Sequence, residues 1–212
     1  KAAYALKEMR ARLDDAEGAQ REPIAIVGMS GRFPGAASCE ALWQLLVDGV
    51  DAVGEIPAER WSLAQYYDAN ANAPGKMNAR CGGFLEGVDQ FDPAFFGIPA
   101  REAVKVDPQQ RLLLEVAWEA LENAGQAPDR LQGTETGTYL GINQMDYGLA
   151  QFDAPGDMDI YTTTGNGFCF AAGRISYALG LQGPNMAVDT ACSSSLVAVH
   201  LACQALRNRE CD

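Results

Sequence analysis

The chain has 212 residues, 48% of them hydrophobic, with 28 acidic against 16 basic side chains and a formal net charge of -12. So much apolar content excludes a disordered chain and allows one sizeable core or one and a half. The acidic balance repels phosphate backbones and no cluster of five or more Lys/Arg offsets it, which excludes nucleic acid as a partner. The longest uncharged run, 190–206, is broken by serines and a histidine and is shorter than the ~20 apolar residues a membrane span needs. The first residues lack the continuous apolar centre of a secretory signal, so the expected location is cytoplasmic, away from membranes.

Leu6, Met9, Leu13 and Ala16 repeat at coiled-coil steps among charged neighbours, predicting a helix over residues 1–20. Two heptads make only about 27 Å, too short to stand alone. The helix therefore pairs with another or lies on the body of the protein. Residues 24–27 (IAIV), after Pro23, read as a buried strand feeding a turn at Pro34-Gly35. The glycines that follow lack both the G-x-G of a dinucleotide turn and the Lys-Ser/Thr of a phosphate loop, which argues against a nucleotide site. Ser38 caps a helix to Asp48, and residues 68–80 (DANANAPGKMNAR) form an exposed loop.

Asp107-Pro108 then opens a periodic helix, QQRLLLEVAWEALENAG, ended by Gly125, with Trp118 as packing and Arg111 held by local carboxylates. Residues 137–141 (GTYLG) and 184–188 (PNMAV) read as strands, and 166–179 and 193–207 as helices. Strands alternating with helices predict an α/β class with a mainly parallel, covered sheet.

The six cysteines, at 39, 81, 169, 192, 203 and 211, form no C-x-x-C pair and one histidine cannot complete a metal set, so most are expected to be free, packed thiols and no metal is expected. Cys192 differs in its setting. In MAVDTACSSSLVAV a strand ends at Asp189 and a helix starts within about three residues, so the thiol occupies a strand-to-helix elbow. A helix N-terminus there favours the thiolate and offers backbone N–H groups to developing charge. The neighbouring serines also read simply as first-turn caps. His200 lies eight residues along the same helix, about 12 Å of rise, and so cannot act as base for Cys192. It is expected in the core or at an interface.

Three segments, EPIAIVGMSGRFPGA, FDPAFFGIPAREAVKVDPQQRLLLEVAWEALENAG and GPNMAVDTACSSSLVAVHLACQAL, resemble in order the N-terminal half of the β-ketoacyl synthase (ketosynthase) domain of modular type I polyketide synthases. The helix before them resembles the short coiled coil that pairs two ketosynthases. The resemblance implies a thiolase-like fold in αβαβα layers, with only its N-terminal half present at 21–212, after a docking helix at 1–20. It implies that Cys192 of T-A-C-S-S-S is the nucleophile, with its own N–H as an oxyanion donor, and that Thr190, Ala191 and Ser193 line the acyl site. Phe168 and Cys169 fall in a stretch near the family's dimer seam and acyl pocket, although core packing explains them equally well.

The implied reaction transfers an acyl chain from an acyl carrier protein to Cys192, then condenses it with a decarboxylating malonyl-type extender. No cofactor binds directly, since the phosphopantetheine belongs to the carrier protein. The implied partners are that carrier, adjacent polyketide synthase domains and a second copy of the chain. Docking is expected through a local patch around Arg80 and Arg101, because both proteins are acidic. The family's catalytic histidines fall in the other half of the domain, so the chain is expected to be a truncated piece unable to condense alone. Two other readings are a non-catalytic dimerisation and carrier-docking piece, and a thiolase-like condensing enzyme of the fatty acid synthase type.

Overall fold

The computed structural model describes residues 4–10, 18, 22–153 and 155–212, which divide into a unit formed by residues up to 28 with 92–212 and a second unit of 29–91. Residues 4–10 are helical, with Leu6 and Met9 exposed; Leu13 and Ala16, the rest of the expected seam, lie outside the described residues.

In the larger unit the centre is a parallel pair, β3 (Thr138–Gly141) and β4 (Asn185–Val188), in register from Thr138 opposite Asn185 to Gly141 opposite Val188. The smaller unit contributes the first elements in chain order: α1 (Cys39–Val47), β1 (Gly54–Glu55), α2 (Leu63–Tyr66) and β2 (Cys81–Gly82), β1 and β2 pairing antiparallel. Then come α3 (Ala100–Ala103), α4 (Pro108–Asn123), α5 (Asp146–Phe152), α6 (Ile160–Asn166), α7 (Phe168–Leu179) and α8 (Ser194–Asn208).

The alternation of side chains along β3 places α7 and α8 on opposite faces of the pair. Thr138 Oγ1 lies 3.0 Å from Ser176 Oγ of α7. Gly141, three residues on and therefore facing the other way, lies beneath the start of α8: a Cβ there would sit 2.6 Å from the Ser195 nitrogen. Small residues make this close approach possible. Ala171, Ala172 and Ile175 bury one stripe of α7, and Ser194, Ala198 and Ala205 bury one stripe of α8.

α4 begins as its sequence dictates. Asp107 Oδ1 accepts the Gln109 N–H at 2.8 Å, Pro108 occupies the first turn, and Gly125 terminates the helix in the left-handed region at φ 66°. Trp118 packs edge-on against Phe95 and Phe96, with ring centroids 4.8 and 6.4 Å away. Arg111 is held differently from expectation: its Nε donates to the Val106 carbonyl at 2.8 Å, and its guanidinium lies over the Tyr147 ring. Pro34-Gly35 makes the expected turn, Gly35 adopting φ 72° between the reciprocally bonded Phe33 and Ala36. Ser38 caps α1 by accepting the Ala41 N–H. Residues 68–80 form no helix or strand of their own, and an isolated bridge between Tyr67 and Met77 closes most of the loop.

Three further expectations about the elements and the cysteines need correction. Residues 24–27 belong to no strand: no ladder partner lies beside them among the described residues, and Ile26 and Val27 remain exposed. The predicted helix 166–179 is interrupted at Gly167, whose extended backbone (φ -68°, ψ 133°) separates α6 from α7. The cysteines are all free, but none is fully packed: Cys81, Cys169 and Cys192 are exposed, and Cys39, Cys203 and Cys211 half-buried.

Candidate active site

β4 delivers the chain to the elbow, residues 189–193, at the carboxyl edge of the parallel pair, the edge where open α/β sheets bind ligands. Cys192 is exposed there, in a single 3-10 turn (Ala191–Ser193) immediately before α8. Its N–H has no hydrogen-bond acceptor among the described residues, leaving it available to an incoming oxygen.

The turn is tightly tied. Ala191 has φ 56°, a left-handed conformation that costs a non-glycine residue about 1–2 kcal/mol. Its N–H donates to Asp189 Oδ1 at 3.0 Å and its carbonyl accepts from Ser194 Oγ at 2.7 Å. Ser194 Oγ in turn accepts the Thr190 N–H at 2.9 Å. Ser193 Oγ donates to Thr190, whose O and Oγ1 both lie 2.8 Å away. The serines therefore bond backward into the elbow rather than cap α8, and Ser193 is the N-cap residue without a side-chain cap bond.

The residues expected at the site are partly assembled. Thr190, Ala191, Cys192 and Ser193 form one exposed turn. Phe168 opens α7, on the other face of the strand pair. A short connection joins α7 to the start of β4, so α7 runs back along the strand and Phe168 sits toward the same carboxyl edge, half-buried; Cys169 beside it is exposed. His200 is exposed on α8, which removes the core but not the interface from its two expected places, and it lies about a turn and a half beyond the start of that helix. Arg80 is ion-paired with Glu55 and lies over the Tyr67 ring, so its charge is already engaged; Arg101 stands over the Tyr161 ring at 5.2 Å.

Sequence reading missed Asp189, Ser194 and Gly141. Only the close approach beneath Gly141 and the left-handed Ala191 reveal what those residues do, and neither has a local sequence signal. Nearby, Arg174 on α7 ties several elements together: Nη1 binds Glu102 at 2.7 Å, Nε binds Gln110 Oε1 at 3.2 Å and Nη2 binds the Thr164 carbonyl at 3.3 Å. Burial pushes the Asp107 carboxyl above its usual range. Among the described residues no group of three or more His, Cys, Asp or Glu could hold a metal, and no helix is long and apolar enough to cross a membrane.

Comparison with known proteins identifies the family of the chain. Residues 21–212 match the family described as "Beta-ketoacyl synthase, N-terminal domain". One component of the phenolphthiocerol/phthiocerol polyketide synthase of Mycobacterium tuberculosis (strain CDC 1551 / Oshkosh) is 55% identical over 192 residues, 90% of this chain and 10% of the relative. A second component of the same synthase, from the same strain, is 52% identical over 90% of this chain and 12% of its own length. The oxazolomycin ketosynthase domain of Streptomyces albus JA3453 superposes with a TM-score of 0.83 at 39% identity, covering 90% of this chain and 34% of that one. A ketosynthase from module 6 of the bacillaene synthase of Bacillus subtilis 168 gives 0.76 at 42%, covering 89% and 30%. The chain thus spans about a tenth of the curated relatives and about a third of the solved ketosynthases. By sequence and by the thiolase-like fold it shares with them, it belongs to the β-ketoacyl synthase family, of which it carries the N-terminal domain.

Proposed function

We propose that Cys192 is the residue that accepts and holds the acyl chain in a polyketide ketosynthase. The carrying observation is its exposure at the elbow beside a backbone N–H with no acceptor among the described residues. The Cys192 sulfur, as thiolate, adds to the thioester carbonyl presented on the phosphopantetheine of an acyl carrier protein. The oxyanion that forms meets the Cys192 N–H. Collapse of the adduct breaks the carbonyl carbon's bond to the pantetheine sulfur, which leaves and takes up the proton the cysteine gave up. A malonyl-type extender then loses carbon dioxide, its carbanion attacks the Cys192 thioester, and the cysteine sulfur is released.

The only histidine of the chain, His200, does not reach this sulfur, so the acid–base work of the second step falls to residues outside these 212 and the chain alone makes no condensed product. Thr190, Ala191, Ser193 and Phe168 border the acyl path. Residues 21–212 form the ketosynthase part and the helical residues 4–10 serve pairing, in a dimer working among other polyketide synthase domains in the cytoplasm. Arg101 offers a positive charge to the acidic carrier.

The test is intact-protein mass spectrometry of the complete ketosynthase domain after exposure to an acyl thioester. The expected result is one acyl adduct on the peptide carrying Cys192, absent in C192A. An adduct that persists in C192A would refute the assignment, and condensation by the 212-residue chain alone would refute its dependence on the remaining residues.

A further inference from the structure

We infer that Ser194 is a positioning residue for acyl transfer, its buried hydroxyl fixing the peptide plane that carries the Cys192 N–H. The inference rests on the reading of Cys192 as acyl acceptor. The carbonyl of Ala191 and the N–H of Cys192 belong to one planar trans peptide, so holding the oxygen fixes the direction of the N–H on the opposite side. Ser194 Oγ holds that oxygen at 2.7 Å and is itself held by the Thr190 N–H at 2.9 Å. At 5% exposure, Ser194 makes both bonds out of reach of competing water.

The lock works against a real preference. An alanine leaves the left-handed region by a factor of about ten in population unless something holds it there. Ala191, at φ 56°, is held on its N–H side by exposed Asp189 and on its carbonyl side by Ser194. The helix start cannot drift to follow a relaxing elbow, because the backbone of Ser194 and Ser195 rests on Gly141 with no space for even a Cβ between them. The Ser194 backbone N–H also donates to the Ala191 carbonyl, so loss of the hydroxyl leaves that oxygen one donor instead of two and strands the Thr190 N–H. Ala191 then relaxes and the Cys192 peptide turns, carrying the N–H away from where a thioester oxygen develops charge.

The test uses the complete domain and two reagents. Acyl transfer from an acyl thioester needs the N–H; alkylation by iodoacetamide, a direct displacement at carbon, does not. In S194A the acylation rate falls at least about tenfold with little change in the thioester KM, while alkylation of Cys192 falls less than about threefold. In the A191G background the same S194A change costs about threefold or less, because glycine tolerates the left-handed region. If S194A does not fold, D189A at the exposed side of the lock lowers acylation about two- to fivefold, and D189N, which retains the acceptor oxygen, restores most of it. Equal losses for both reagents, or a loss undiminished by A191G, would overturn the positioning role. If C192A is inert and S194A acylates at the wild-type rate, the role of Ser194 alone falls; if C192A still acylates, the assignment of the nucleophile falls first.

Discussion

Replacing Arg174 by methionine preserves much of its volume and removes its charge. The side chains of Arg174 and Glu102 are 13% and 17% exposed, so the carboxylate left behind has neither its partner nor full access to water. Orphaning one member of a buried pair costs about 3–5 kcal/mol, and the residual exposure places this one near the lower figure. Gln110, 1% exposed, also loses the donor to its Oε1, worth about 1–2 kcal/mol, and the 3.3 Å bond to the Thr164 carbonyl adds a few tenths. R174M should therefore destabilise by about 5 kcal/mol. E102Q introduced into R174M removes the stranded charge and should return about 2–3 kcal/mol, whereas in the wild type E102Q only destabilises. Urea unfolding of the complete domain, followed by circular dichroism with m-values compared, reads both quantities. A loss below about 1 kcal/mol for R174M, or an E102Q cost that simply adds to it, would refute the view of Arg174 as a clamp joining α3, α4, α6 and α7.

Asp107 makes a pH-dependent prediction. Burial raises its carboxyl pKa in the fold, so its stability contribution is full below the ordinary carboxylate range and is lost as pH rises through the raised value. D107N, which retains the Oδ1 cap acceptor without the charge, should gain on the wild type as pH climbs from about 3 to about 7, and a flat difference would contradict this. D107A loses the cap as well and should cost about 1 kcal/mol more than D107N at neutral pH. G165A should cost about 2–3 kcal/mol in the same unfolding assay, because its Cβ would overlap the Lys105 carbonyl oxygen and lie 2.7 Å from that carbonyl carbon. A loss below about 0.5 kcal/mol would show that the turn between α3 and α4 yields.

What the sequence revealed was local in origin. The start of α4 is written in Asp107-Pro108, its end in Gly125, and the turn before α1 in Pro34-Gly35, because caps and turns are decided by neighbours along the chain. The two strands around the elbow were legible too, bounded as they are by glycine and proline. The residues 24–27 have strand composition, but a strand exists only with a partner at hydrogen-bonding distance, a condition no run of β-branched residues can state. Gly167 reads as one small residue among several in a helical pattern; the break it makes, where Gln110 Nε2 meets its carbonyl at 3.4 Å, is a tertiary event. At the candidate site, the strand-to-helix elbow that leaves Cys192 exposed was legible in the sequence. Ser194, Asp189 and Gly141 were not, since their importance comes from a left-handed alanine and a backbone contact that link distant positions.

The three tryptophans give this chain its own optical gauge. Trp118 belongs to the larger unit, clasped edge-on by Phe95 and Phe96 with its indole N–H on Glu122 at 2.9 Å. Trp61 belongs to the smaller unit beside Phe84, and Trp43, 68% exposed, is already in water. Emission from W43F/W61F thus follows melting of the larger unit, and emission from W118F follows the smaller through Trp61. Coincident or separate denaturation midpoints would report whether the two cores rise and fall as a single cooperative body or independently.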